Sequence, residues 1–224
     1  MKKLAILLFA CLAVVAGCKK EKSEVVDPDH IQQEIWYVYD SDNNDSHFYI
    51  RFYDNSWYKR VLLDSPSFVN LNDLPMVLNP INSYYEVNYN NQKTPSGTFV
   101  FSEVWKRVFT NVVPVPSSIE LPAIDTLYNS KDNVITWIGD PCLGTSEVIT
   151  FYQGFIIYKT IATTSQAGAT SITLKAGSFG NIGNPGNTYI QLYRETTSSL
   201  QQGEIAGGKI VRRYQSMIKR VYLK

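Results

Sequence analysis

The chain has 224 residues, 44% of them hydrophobic and 18% charged, with 21 Lys and Arg against 20 Asp and Glu for a formal net charge of +1. That length and apolar content suffice for one large or two small domains with apolar cores of their own. The charge balance provides no global electrostatic pull toward nucleic acid, so a nucleic-acid partner is not expected.

Lys2 and Lys3 open the chain, and an apolar run of 14 residues, Leu4 to Gly17, follows. At a helical rise of 1.5 Å per residue it reaches roughly 21 Å, short of the ~30 Å hydrocarbon core of a bilayer, so residues 1–17 read as a secretory signal rather than a retained span. Val15-Ala16-Gly17-Cys18 resembles the lipobox of bacterial lipoprotein signal peptides, with Val where Leu is commoner. The resemblance implies cleavage before Cys18, a diacylglyceryl group on its sulfur and acylation of the new amine. Stable attachment takes two or more acyl chains, because each buried CH₂ contributes only about 0.8 kcal/mol. Cys11 would leave with the signal and Cys18 would carry lipid. Cys142 then stands alone as a thiol, without a partner for an intramolecular disulfide, and reads as a small buried residue.

Residues 18–30, the lipidated Cys and then KKEKSEVVDPDH, are charged and nearly free of large apolar side chains, which predicts a flexible tether. From Ile31 to Val113 the pattern changes to period two. Phe48, Ile50 and Phe52 share one parity, and His47, Tyr49, Arg51 and Tyr53 share the other, the signature of a half-buried strand. Similar runs are Glu34–Tyr39, Trp57–Leu63, Tyr84–Tyr89, Thr98–Phe101 and Val104–Val113, with turn-rich clusters such as DSDNNDS and NLNDLP between them. The Pro-rich residues 114–118 predict an extended linker and a domain boundary. In residues 119–224, strand-like runs recur at Val134–Ile138, Glu147–Tyr152, Phe155–Thr160, Ser171–Leu174 and Thr188–Arg194. The last residues fit either a helix or, as we favour, two strands after Gly207-Gly208.

The expected fold is therefore all-β, with two antiparallel β-sandwich domains: an aromatic-rich one over 31–113 and a second over 119–224. The second half loosely resembles immunoglobulin-like or fibronectin-type modules, through its strand spacing and the single Trp137 in a strand run. The CKKEK start and the abundance of Tyr and Asn also resemble surface lipoproteins of the Bacteroides group. Lys19, in place of the Asp that marks inner-membrane retention, implies the outer membrane, with the body periplasmic or surface-exposed.

Candidate chemistry is sparse. Gly203–Ile210 nearly spells a phosphate-binding loop, but Ile210 stands where a hydroxyl is needed, and a hairpin turn at Ala206-Gly207-Gly208 accounts for the glycines. Asp40, Asp42 and Asn44 place oxygens at alternate positions, as a weak Ca²⁺ candidate, with a plain hairpin turn as the default. No nucleophile or metal motif is present, no cofactor is implied, and catalysis is not expected.

Aromatic residues carry most of the information. Residues 31–113 hold 17 of the chain's 29, including the adjacent pairs Trp36-Tyr37, Trp57-Tyr58 and Tyr84-Tyr85. Neighbours on a strand point to opposite faces, so each pair places one large ring away from the core. Trp36, Trp57, Tyr58, Tyr84 and Tyr85 are accordingly the candidate ligand-binding residues. The basic residues Arg212, Arg213, Lys219, Arg220 and Lys224 are a second candidate contact, for anionic glycan or lipid headgroups. The expected role is non-catalytic binding of a glycan or other ligand by an envelope protein held to the membrane through Cys18. A structural or adhesive surface subunit and a hydrolase with an unrecognised carboxylate pair are the alternatives.

Overall fold

The computed structural model describes residues 20–23, 26–55, 59–153, 158–180 and 185–224. The signal segment, Cys18, Trp57 and Tyr58 lie outside the described residues.

The described chain is all-β, with one turn of 3-10 helix at Pro28–His30. The first half supplies β1 (Lys20–Lys22), β2 (Ile31–Asp40), β3 (Asp45–Asp54), β4 (Arg60–Leu62), β5 (Phe68–Leu71) and β6 (Leu74–Pro75). It continues with β7 (Val77–Asn79), β8 (Tyr84–Tyr89), β9 (Ser96–Ser102) and β10 (Val108–Pro114). The second half supplies β11 (Ile119–Glu120), β12 (Thr126–Leu127), β13 (Asn133–Thr136), β14 (Ile138–Gly139) and β15 (Ser146–Gln153). After these come β16 (Tyr158–Thr164), β17 (Ser171–Leu174), β18 (Gly186–Ser199), β19 (Gly208–Gln215) and β20 (Lys219–Leu223). The C-terminal segment is thus two strands, and the helical alternative is set aside.

A twelve-stranded sheet follows the path β1-β4-β3-β2-β19-β18-β15-β16, with β7, β8, β12 and β20 joined beside it. A second sheet runs β10-β9-β5-β6, and β11 with β14 and β13 with β17 form two further pairs. The alternation in the sequence dictates the facing. In β3, Phe48, Ile50 and Phe52 are at most 1% exposed, and they join Ile35 and Tyr37 of β2 in the core. Val69, Leu71, Phe99, Phe101 and Val113 of the second sheet pack into the same apolar cluster, which continues through Val148, Leu192 and Ile210. Two packed layers around one core give a sandwich-like architecture. Trp137 is buried in it, with Nε1 donating to the Asp140 carbonyl at 3.0 Å, and Cys142 is buried beside Ser146, whose carbonyl lies 3.2 Å from its sulfur.

Strand direction departs from the purely antiparallel expectation. β2 runs parallel to β19 through eight register pairs, from Gln33 with Gly208 to Asp40 with Gln215, and the β1–β4 and β12–β20 pairs are parallel too. Periodicity fixes which face a side chain takes; it carries no information about the direction of the neighbouring strand. The β2–β19 ladder also carries the sheet and its core across residues 114–118, so residues 31–113 and 119–224 share one sheet. Gly208 allows this approach: a Cβ there would lie 2.0 Å from the Gln33 carbonyl oxygen.

Two local differences have simple causes. Lys20–Lys22 pairs with β4 rather than belonging to the tether, because a strand can add to a sheet edge through backbone groups alone. β10 begins at Val108 instead of Val104, because the Glu103 carboxylate accepts from the N–H of Trp105 at 2.6 Å and of Arg107 at 3.0 Å and closes a turn.

Candidate functional site

The outer face of β8, β3, β2 and β19 carries the main cluster of aromatic and charged side chains. Register places Trp36 opposite Tyr49 on one side and Val211 on the other, and Glu86 opposite Tyr49. Trp36 and Tyr49 stack with ring centroids 5.5 Å apart and planes 10° apart. Tyr84 lies 4.9 Å from Tyr49, and His47 lies 5.1 Å from Tyr49 and 6.1 Å from Tyr84. With Val38 and Val211, Trp36, Tyr49 and Tyr84 make an apolar cluster separate from the main core.

Two guanidinium groups roof these rings. Arg51 sits 4.9 Å from the Tyr49 centroid and 5.4 Å from that of Tyr84, and Arg213 sits 5.0 Å from Trp36 and 5.4 Å from Tyr193. Arg213 donates to Glu195 Oε2 through Nε at 2.9 Å and Nη2 at 2.6 Å. Arg51 Nη1 lies 3.7 Å from Glu34 Oε2, and Lys209 Nζ lies 2.9 Å from Glu34 Oε1. Trp36 and Tyr49 are each only 9% exposed, so a ligand that stacks on them must first displace or engage the flexible cations above. Trp36 Nε1 and Arg51 Nε are buried without a hydrogen-bond partner among the described residues, and unanswered donors of this kind are costly.

Titration follows from these contacts. Burial pushes the Glu34 carboxyl up, but its bonds to Lys209 and Tyr53 and the charges of Lys209 and Arg51 outweigh this and hold it below the ordinary value. Burial lowers His47 despite the Glu86 carboxylate 2.8 Å from Nε2, so its imidazole is neutral at physiological pH. Burial raises the Tyr49 phenol, which stays protonated.

Beside His47 the face dips into a hollow of about 380 Å³ whose lining includes Val38, Asp40, His47, Asn88, Asn90 and Gln215. Amides, a carboxylate and an imidazole next to aromatic rings offer both donors and acceptors to a hydroxyl-rich ligand.

The sequence candidates divide accordingly. Trp36 and Tyr84 meet on this face, bridged by Tyr49. Tyr85 turns the opposite way: its hydroxyl accepts from the Leu63 N–H at 2.8 Å, and its ring lies 6.0 Å from Phe52. Arg213 joins Trp36 from the basic C-terminal cluster. Tyr49, Arg51 and His47 were not singled out as binding residues, although their shared outward parity on β3 was the available signal. Asp40 and Asn44 shape the β2–β3 turn: Asp40 accepts from the Asp42 N–H at 3.0 Å and from Asn43 Nδ2 at 2.8 Å, and Asn44 Oδ1 accepts from the Tyr39 hydroxyl at 2.8 Å. Asp42 Oδ1 accepts from the Ile218 N–H at 3.3 Å. Among the described residues no group of three His, Cys, Asp or Glu could hold a metal ion.

A carboxylate cluster lies elsewhere, around Arg107. Arg107 reaches Asp29 at 2.7 Å, Glu103 at 3.1 Å and Glu204 at 3.0 Å. Glu103 serves the turn before β10, and the cluster ties that turn to the β18–β19 loop. No protein-family model matches the chain, and no curated protein matches it.

Proposed function

We propose that this protein is a lipid-anchored, non-catalytic binding protein of the bacterial cell envelope, held to the outer membrane through Cys18, whose outer sheet face takes an acidic glycan. The lipobox-like Val15–Cys18 supports the anchor. The observation that carries the binding reading is the continuity of the Trp36–Tyr49–Tyr84 rings, the cations Arg51 and Arg213, and the polar hollow at His47. Rings offer apolar area to a sugar face, the hollow offers hydrogen bonds to hydroxyls, and guanidinium groups pair with carboxylate or sulfate.

Titration of the full chain with acidic polysaccharides (polygalacturonate, alginate, heparin) and neutral ones (dextran, mannan), followed by Trp fluorescence, tests the reading. At least one acidic polymer should shift the emission, and Arg213→Ala and Tyr84→Ala should each weaken that binding about tenfold, equivalent to ~1.4 kcal/mol. An emission that no acidic polymer changes, or binding untouched by both substitutions, rejects this face as the site.

A further inference from the structure

Arg194 of β18 points into the sandwich and is 2% exposed. Buried cations are ordinarily paired with an acid. Among the described residues, none comes within ion-pair reach of Arg194; its hydrogen bonds go to two main-chain carbonyls, Ser118 at 3.2 Å from Nη1 and Asp140 from Nη2. A guanidinium has five N–H groups, and Nε here is buried with no partner at all. The ring of Trp137 lies 5.9 Å from its central carbon.

A second arginine lies on the same face of the sheet. Arg212 of β19 is directly opposite Thr196 in the β18–β19 register, two residues along from the partner of Arg194, so both arginines occupy the inner face. The Arg212 side chain is half-buried, makes no hydrogen bond or ion pair among the described residues, and its Nε is also buried and unpartnered there. Burial lowers the pKa of both groups, and for Arg212 nothing opposes it. Asp140 acts on Arg194 through its charge without reaching ion-pair distance, and of the two arginines only Arg194 lines the cavity described next.

Arg194 and Thr196 line a cavity of about 460 Å³, walled on its other sides by residues including Pro141, Leu143 and Ala167, with Asp140 the one acid among its described lining residues. The planar fork of a guanidinium matches a carboxylate. The apolar walls suit a short hydrocarbon part, and the volume suits a small molecule rather than a polymer. We propose that this cavity binds a small organic acid, with its carboxylate on Arg194 and its apolar part against Pro141, Leu143 and Ala167. The site is independent of the outer face and of its glycan reading.

Isothermal titration of the full chain with butyrate, butyramide and inorganic phosphate provides the test. Butyrate should bind with one-to-one stoichiometry and at least tenfold more tightly than butyramide, which has the shape without the charge. Arg194→Lys keeps the charge and loses the fork, and should weaken butyrate at least tenfold. Because Arg194 also holds two carbonyls, its variant is checked by thermal melting. Arg212→Gln changes a charge on the same face outside the cavity lining, and as the control it should leave butyrate binding unchanged. Absence of butyrate binding, equal affinity for butyramide, preference for phosphate, undiminished binding in Arg194→Lys, or a loss in Arg212→Gln as large as that in Arg194→Lys overturns the proposal.

Discussion

Glu204 shows how much one carboxyl can carry when its surroundings are assembled from far along the chain. Its side chain is 1% exposed and faces Arg107, which already serves Asp29 and Glu103. Three carboxylates thus share one cation. Burial, with Glu103 and Asp29 adding repulsion and Arg107 opposing, pushes Glu204 up to about 7 from an ordinary 4.5. Between those values the folded protein keeps a proton that the unfolded chain has released. The associated stability is complete below about pH 4.5 and is lost as pH rises through about 7. Glu204→Gln removes this loss. Denaturant melts should find the variant equal to wild type near pH 4.5 and more stable at pH 8 by on the order of 2 kcal/mol. A variant less stable than wild type at pH 8 would mean that the ion pair with Arg107 outweighs burial. None of this was legible in the sequence: Glu204 reads there as part of a glycine-rich near-motif, while Asp29 falls in the tether and Glu103 between two strand runs. The parity of His47 to Tyr53, by contrast, was legible because alternation is a property of neighbours.

At the scale of elements, β10 has an exposed edge that is managed from a distance. It ends the second sheet, and Val108 and Val112 are exposed. The glutamines of the β18–β19 loop cover it. Gln202 Oε1 accepts from the Thr110 N–H at 2.8 Å, and Gln201 accepts from the Val112 N–H at 2.7 Å and donates to its carbonyl at 2.9 Å. Asn111 Oδ1 accepts from the N–H of Gln201 at 2.8 Å and of Gln202 at 3.1 Å. These amides stand in for a neighbouring strand, which is what an edge requires if it is not to pair with another chain. The Gln201→Ala, Gln202→Ala double variant should lose about 1–3 kcal/mol and form concentration-dependent dimers in sedimentation velocity. A strictly monomeric variant with wild-type melting would show that the glutamines do not guard the edge. Sequence patterning located the strand, but two glutamines between a long strand and a double glycine read only as loop.

The whole molecule turns on the ladder between β2 and β19. All-β character was legible, because period-two alternation is written locally in longer strands such as β3, β9 and β15. Strand partnership was not, and the candidate site shows the consequence: Trp36 and Arg213 were each visible, but only the parallel pairing of their strands puts one over the other. The Pro-rich residues 114–118 look like a linker because they are locally extended, yet the sheet and its core run on both sides of them. Cutting the chain there would expose the edge of β2 along eight register pairs, and the matching edge of β19. It would also open the apolar cluster that Ile35 and Tyr37 share with Leu192 and Ile210. Loss of a buried Leu or Ile contact set costs about 2–5 kcal/mol per side chain, comparable with the whole stability of a typical domain. The full chain should therefore unfold in one transition, with circular dichroism and Trp fluorescence coincident. Fragments 31–113 and 119–224 should each lack cooperative melting alone and regain it on mixing. Two separate transitions in the full chain, or cooperative melting of either isolated fragment, would mean that the ladder joins two bodies that are stable without it.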